Sequence, residues 1–253
     1  MSSLAIASIV FVCSFGSAAL GMLLHVKLPE RHLDANTREV VNLVMGLIGT
    51  IAALVLSLLI ASASTSFDRQ RDQLKSLSAG IILLDRTLVF YGPEAQGVRD
   101  DIRDAFRDVH QRIWSPDGVR PENIIAPQIR TQLRSGIEKL IRLAPQSDDE
   151  KIIKSQAVQA LMDIAKTRLL MFEEIGNSIS WPFMVVLVFW ISMLFLGFGL
   201  FARYNITVVV AHLVGAICVS GAIFLIVELN DPYNGLMRIS GQPLLDAVTQ
   251  MDQ

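Results

Sequence analysis

The feature that most constrains this chain is an uncharged run from Val40 to Phe67, bounded by Glu39 and Asp68. A helix rises about 1.5 Å per residue, so the run reaches about 42 Å, more than the roughly 30 Å core of a bilayer. No proline or turn cluster separates it from an apolar pattern with heptad spacing that follows. The sequence therefore predicts one long helix that leaves a membrane and enters a helical domain. The heptad stripe consists of Phe67, Leu74, Leu77, Ile81, Leu84 and Leu88, with Gln70 at the remaining position.

Three further apolar blocks have the length of membrane spans, namely Leu4–Leu24, Ile175–Ala202 and Ile206–Val227. Amphipathic helical patterns fill the region between the second and third spans, and strand-like alternation is absent there. Ser147 and Glu150 form a capping-box signature for one helix start. We therefore predict an all-α membrane protein with four transmembrane helices in a 2+2 arrangement and a helical extramembrane domain between the pairs. The predicted segments are 1–63 for transmembrane helices 1 and 2, 64–180 for the helical domain, 181–229 for transmembrane helices 3 and 4, and 230–253 for a C-terminal tail.

The membrane orientation is predicted from basic residues beside the spans. Four spans place both termini and the helical domain on one side. That side carries six Lys or Arg residues near the spans and the opposite side four, which favours a cytoplasmic domain. The absence of Lys and Arg before the first span favours the opposite orientation. The six are Arg69, Arg71, Lys75, Lys166, Arg168 and Arg238, and the four are Lys27, Arg31, Arg38 and Arg203.

Small residues recur at every fourth position of the second transmembrane helix, at Gly49, Ala53, Ser57, Ala61 and Thr65, and Thr50 and Ser64 lie on about the same narrow face. Two interpretations are open. The face either packs closely against another helix, or it lines a pore in which hydroxyl groups replace part of an ion's hydration. The candidate residues are Gly49, Thr50, Ala53, Ser57, Ala61 and Ser64.

Two ionisable residues of the fourth span are further candidates, because intramembrane ionisable groups are costly and often functional. His212 is either functional or a neutral imidazole hydrogen-bonded to a neighbouring helix. Glu228 is either functional or a helix-end cap or interfacial contact. The two cysteines, Cys13 and Cys218, lie in apolar blocks and are predicted to be small core residues.

Motifs and charge make several function classes improbable. The histidines His25, His32 and His110 show no metal-ligand spacing with one another or with cysteine, and no catalytic or nucleotide-binding signature occurs. We therefore predict no enzyme activity, metal site or cofactor. A net charge of −2 and a pI near 6.1 give no reason to expect nucleic-acid binding.

Four stretches resemble the bacterial bestrophin-like membrane proteins of unknown function: LGMLLHVKLPERHL, VVNLVMGLIGTIAALVLSLLIASASTSFDRQRDQL, IILLDRTLVFYGPEA and ELNDPYNGLMRISGQPL. That family is distantly similar to bestrophins, which are pentameric anion or cation channels with a 2+2 layout and a cytoplasmic helical domain. The resemblance implies a homo-oligomer, a pentamer, in a bacterial inner membrane, with inorganic ions as partners and the second helix lining the pore. The chain departs from the bestrophin neck of bulky apolar residues, since helix two has no Phe or Trp before Phe67.

Two function hypotheses follow. The first is an oligomeric ion channel with the small face of helix two in its pore. The alternative is a non-conducting membrane adaptor or sensor whose helical domain binds a partner. The heptad stripe is compatible with both, because it can also close a bundle within one chain.

Overall fold

The computed structural model describes residues 2–29, 34–114, 127–175, 181–202 and 204–252. Within these ranges the chain is all-helical and contains no strand, which confirms the predicted fold class. A short 3₁₀ turn covers Pro93–Ala95. The α-helices are α1 (Ser3–Lys27), α2 (Ala35–Tyr91), α3 (Gln96–Ile113), α4 (Pro127–Arg142), α5 (Asp148–Ile175), α6 (Trp181–Leu200), α7 (Ile206–Leu229) and α8 (Gln242–Gln250).

Helix α2 confirms the prediction of one long helix. It continues without a break for 57 residues, from Ala35 to Tyr91. It ends where Gly92 adopts a φ of 115°, a conformation that other residues rarely take, and Pro93 then prevents any continuation of the helix.

In the part of the chain that the structure describes, four helices are long and apolar enough to cross a membrane, namely α1, α2, α6 and α7. They correspond to the four apolar blocks of the sequence. Polar side chains begin two of them: the Ser2 hydroxyl accepts a hydrogen bond from the Ala5 amide, and the Asn205 side chain accepts one from the Thr207 amide.

Contacts divide the chain into two compact units. The first, the membrane unit, comprises Met1–Phe67 and Ser178–Asn230, and the second, the helical unit, comprises Asp68–Asn177 and Asp231–Gln253. The segment predicted as a separate C-terminal tail therefore belongs to the helical unit.

In the membrane unit, α1 and α6 approach each other at backbone distance. Ser14, Ala18 and Gly21 form the buried side of α1. A Cβ atom added to Gly21 would overlap the Leu196 carbonyl oxygen, and one added to Gly199 would overlap the Ala18 carbonyl oxygen. Small residues therefore permit this contact, as is typical of helix packing in membranes. The core around it comprises Val10, Ala52, Ala63, Met184, Leu187, Ile191, Ile223 and Ile226.

In the helical unit, the predicted heptad stripe of α2 is the core. Leu74, Leu77, Ile81, Leu84 and Leu88 are each at most 4% exposed. Buried side chains of α3 supplement them, among them Val98, Ile102 and Phe106. The stripe therefore closes a bundle within one chain, the alternative that the sequence left open.

A desolvated ion pair joins α2 to α3 in this unit. Arg99 Nε donates to Asp85 Oδ1 at 2.6 Å, and Arg99 Nη2 donates to Asp85 Oδ2 at 3.3 Å. The Asp85 side chain is 5% exposed and the Arg99 side chain 17%. Arg99 Nη2 also donates to the Met251 carbonyl oxygen at 3.4 Å. One guanidinium therefore holds three elements of the helical unit together.

Residues 231–252, which we call the C-terminal strap, lie against α3. Trp114 Nε1 donates to the Ile239 carbonyl oxygen at 2.9 Å. A Cβ atom at Gly241 would lie 2.5 Å from the Trp114 ring, so only glycine permits this close packing. Arg107 Nη2 lies 3.0 Å from Asp252 Oδ2. Within the strap, α8 buries an apolar face, formed by Leu244, Ala247 and Val248.

His110 of α3 shares this contact region. Its ring stacks on the Trp114 ring with centroids 5.2 Å apart. Burial lowers the pKa of His110 because it penalises the charged imidazolium. The neutral ring is therefore favoured beside the strap.

Gly21→Ala should destabilise the membrane unit by about 1–3 kcal/mol, because the added methyl group overpacks the contact between α1 and α6. The matched control is Gly16→Ala, since a Cβ atom there meets nothing within 4 Å. Thermal unfolding in detergent, followed by circular dichroism, measures both. Equal melting temperatures for the two variants would contradict the close backbone contact.

Asp85→Asn should destabilise the helical unit by about 3–5 kcal/mol, since Arg99 would remain buried without its counter-charge. Replacing both partners, as Asp85→Leu with Arg99→Met, should cost less. Asp72→Asn is the control, because Asp72 pairs with Lys75 on the surface and its side chain is 72% exposed. If Asp85→Asn lowered the free energy of unfolding no more than Asp72→Asn does, the Asp85–Arg99 pair would contribute little to stability.

Candidate functional site

Helix α2 has a buried side and an exposed side within the membrane unit. Met45, Ala52 and Ala63 mark the buried side. The Met45 side chain lies so close to Gly197 of α6 that a Cβ atom there would overlap the sulfur. These contacts fix which side of α2 its own chain leaves uncovered.

The uncovered side carries most of the predicted small face. Gly49 is the exception, because it is half-buried and a Cβ atom there would lie 3.8 Å from Leu194 of α6. The chain therefore leaves the face open. A helix that packs against this face, or a pore that the face lines, would lie outside the chain's own helices. The exposed members are Thr50, Ala53, Ser57, Ala61 and Ser64.

Two hydroxyl groups of this face donate their hydrogen atoms within the helix. Thr50 Oγ1 donates to the Gly46 carbonyl oxygen at 2.8 Å, and Ser57 Oγ donates to the Ala53 carbonyl oxygen at 2.9 Å. After a hydroxyl group has donated its hydrogen atom, the lone pairs of its oxygen can still accept hydrogen bonds. The face therefore presents hydrogen-bond acceptors, which can bind water or replace part of a cation's hydration.

A second surface of α2, which we call the aliphatic stripe, lies beside the small face. Its members are more than half exposed. Sequence reasoning missed this stripe, although the seven-residue spacing of Val40, Leu47 and Leu54 was a signal for it. Every aliphatic residue of a span looks alike until the packing of the neighbouring helices is known. The stripe consists of Val40, Leu43, Leu47, Leu54 and Leu58.

His212 bonds to its own helix rather than to a neighbouring one. Its Nδ1 lies 2.8 Å from the Val208 carbonyl oxygen, one turn earlier on α7. Because a carbonyl oxygen can only accept, Nδ1 is the donor in this hydrogen bond. The ring is half-buried and packs at a steep angle against the Phe195 ring, with centroids 6.2 Å apart. Its Nε2 atom is buried and has no hydrogen-bond partner within the described residues.

Glu228 lies in the last turn of α7 and is 2% exposed. Sixteen residues of helix separate it from His212, a distance of about 24 Å. The two ionisable candidates therefore do not form one site, and neither belongs to the small face of α2.

Cys13 and Cys218 are exposed on the membrane unit, so the prediction that they are core residues is wrong. Apolar neighbours in the sequence indicate burial only where the protein is surrounded by water. On a membrane helix they do not, because the lipid-facing side is apolar as well. Within the described residues, no group of three or more His, Cys, Asp or Glu side chains is placed to hold a metal ion.

Comparisons with known proteins agree with this architecture. A family model described as the Bestrophin-like domain matches residues 12–244. No curated protein matches the sequence.

Crystal structures of a bacterial bestrophin homolog from Klebsiella pneumoniae share the fold. A leucine-to-threonine variant is 11% identical with a TM-score of 0.69, and the match covers 97% of each chain. A tryptophan-to-alanine variant is 13% identical with a TM-score of 0.67, and the match covers 99% of each chain. At such low identity the likeness is one of fold alone.

Proposed function

The chain belongs to the Bestrophin-like family, and on that premise we propose that it forms a homo-oligomeric ion channel whose pore is lined by α2. We place it in the bacterial inner membrane, as a pentamer with inorganic ions as substrates. The observation that carries the proposal is the small, acceptor-bearing face of α2, which its own protomer leaves open.

Two uncovered surfaces on one helix support a ring of copies. In a ring, each α2 turns one side to the axis and meets its neighbours along the flanks. The small face suits a lumen or a neighbouring backbone, while the aliphatic stripe suits apolar packing. Side chains of Leu and Val can equally face lipid, but Thr50 and Ser57 gain more beside water than beside lipid tails.

A constriction without aromatic side chains is consistent with this proposal. Helix α2 has no Phe or Trp before Phe67, yet Leu47, Leu54 and Leu58 are bulky and exposed. A ring of leucine side chains can close a narrow pore by dewetting. Where the aliphatic stripe borders the small face, its leucine side chains therefore supply the bulk that an aromatic neck would otherwise give.

A non-conducting adaptor or sensor is the second candidate, and one observation favours it. Because Thr50 and Ser57 donate inside their own helix, another helix can cover the small face without leaving their hydrogen atoms unpaired. In that case the helical unit would bind a partner, and α2 would only hold the subunits together.

The basic residues beside the spans favour a cytoplasmic helical unit and cytoplasmic termini. A green fluorescent protein fused after Gln253 should therefore fluoresce, and alkaline phosphatase at the same position should be inactive. The reverse pair of results would place the helical unit and both termini outside the cytoplasm.

Ser57→Leu should leave the oligomer intact and reduce ion flux in liposomes, because leucine replaces a hydroxyl near the middle of the span with a bulky apolar group. Ser57→Ala is the matched control and should conduct nearly as well as the wild type, since it removes only the hydroxyl. Flux of a fluorescent ion indicator and particle size in detergent are the measurements.

A cysteine pair gives an independent reading of the same face. With Cys13 and Cys218 replaced by alanine, Ser57→Cys should react with a small water-soluble thiol reagent, and Ala52→Cys on the buried side should not. A destabilised Ser57→Leu variant together with an unreactive Ser57→Cys variant would remove the pore interpretation and favour the adaptor.

A further inference from the structure

The first loop of the C-terminal strap is held firmly at its base. The Ile239 amide donates to the Pro232 carbonyl oxygen at 2.7 Å and closes the loop. Asn234 Nδ2 donates to Asp231 Oδ1 at 2.9 Å. Pro232, Tyr233 and Ile239 are buried. The loop therefore has a defined shape, and Gly235, with a φ of 83°, reverses the chain at its outer end.

The outer end of this loop, Gly235–Arg238, presents apolar side chains to the surroundings, and we call it the knob. Leu236 is 78% exposed and Met237 is 42% exposed. Arg238 is exposed beside them and forms no ion pair with any described residue. Two large apolar side chains next to a cation, on a loop fixed at its base, are typical of a contact surface rather than of a solvated turn.

Helix α5 carries a surface of matching chemistry in the same unit, which we call the α5 patch. Met162 and Leu169 are seven residues apart, so they share a helix face, and both are more than 60% exposed. Leu170 extends the apolar area. Asp163, exposed beside Met162, forms no ion pair with any residue that the structure describes. The patch therefore offers apolar area for Leu236 and Met237, and a carboxylate for Arg238.

A rival surface on the helical unit lacks this charge match. Leu83 and Phe90 of α2 are exposed, but Arg86 lies between them and would repel Arg238. Between Ala79 and Phe90 the only carboxylate is that of Asp85, which is buried and paired with Arg99. Lys166 lies within the α5 patch, but its stem is apolar and its ammonium group can extend into solvent away from Asp163.

We infer that the knob of one chain docks on the α5 patch of a second copy, with Leu236 and Met237 packed against Met162 and Leu169, and Arg238 paired with Asp163. Both surfaces are exposed within one chain, so the contact joins different copies. The knob and the patch are different surfaces, which makes the contact heterologous, the type that closes rings of more than two subunits. The inference rests on the proposed homo-oligomer and names a subunit interface within its helical units.

Disulfide trapping tests the contact. In the full chain with Cys13→Ala and Cys218→Ala, Met237→Cys is combined with Met162→Cys, and the purified oligomer is oxidised in detergent. A disulfide forms only when the two Cα atoms come within about 7 Å, so we expect a ladder of linked subunits on a non-reducing gel. The control pair Met237→Cys with Leu83→Cys should stay largely unlinked.

A charge exchange tests the ion pair separately. Arg238→Asp should lower the yield of linked subunits several-fold, and Asp163→Arg added to it should restore the yield. The melting temperature of each variant is measured as well, and yields are compared only between variants whose melting temperature equals that of the parent protein. No recovery in the double variant would overturn the Arg238–Asp163 pairing.

The outcomes separate this inference from the proposed function. Suppose that the oligomer conducts ions, but that Met237→Cys links to Leu83→Cys as well as to Met162→Cys, or does not link to Met162→Cys at all. Either result overturns the knob contact and leaves the proposed channel unaffected. A dye on Met237→Cys that lipid-bound quenchers reach in vesicles overturns it as well, since the knob would then lie in the membrane. A particle that is monomeric by mass and does not conduct overturns the channel and the contact together.

Discussion

A polypeptide that crosses lipid must satisfy its own backbone hydrogen bonds, and in this chain that constraint governs α2 before any other element. Inside the bilayer no water can bind the backbone amide and carbonyl groups of an interrupted helical turn. An uncharged run as long as Val40–Phe67 must therefore remain helical. The helix then continues beyond the apolar run because no proline or turn cluster interrupts the heptad stripe before Gly92. The same helix consequently contributes to the cores of two units, once through small residues and once through leucine and isoleucine.

Sequence patterns predicted the features that depend on local spacing. The four spans, the continuous α2, and the capping box, in which the Glu150 amide donates to Ser147 Oγ at 3.2 Å, all follow from residues close in the chain. The heptad stripe was also recognisable, because water makes apolar spacing informative. In the membrane that information disappears, since lipid and protein interior are both apolar. Cys13 and Cys218 were therefore misplaced, and the aliphatic stripe beside the small face was missed.

Long-range polar contacts were beyond sequence reasoning for a different reason. No sequence pattern distinguishes Asp85 from the other charged residues of the helical unit, yet the Arg99 guanidinium pairs with it in a buried position and reaches Met251 more than 150 residues later. The strap likewise depends on Trp114, whose ring needs the absent side chain of Gly241 and whose Nε1 needs the Ile239 carbonyl oxygen. Such contacts have no periodicity. They arise when one element supplies a donor or a space that another element happens to require.

The small face of α2 shows how one surface can serve two assemblies. A hydroxyl that donates to its own helix needs no partner, so Thr50 and Ser57 are stable against a helix and stable against water. Glycine and alanine add little bulk in either setting. The face can therefore occur in a packed seam as well as in a lumen, and the distance between neighbouring copies decides which of the two forms. In the proposed oligomer, contacts elsewhere would set that spacing, above all in the helical unit, where side chains are larger and water drives exposed apolar surfaces together.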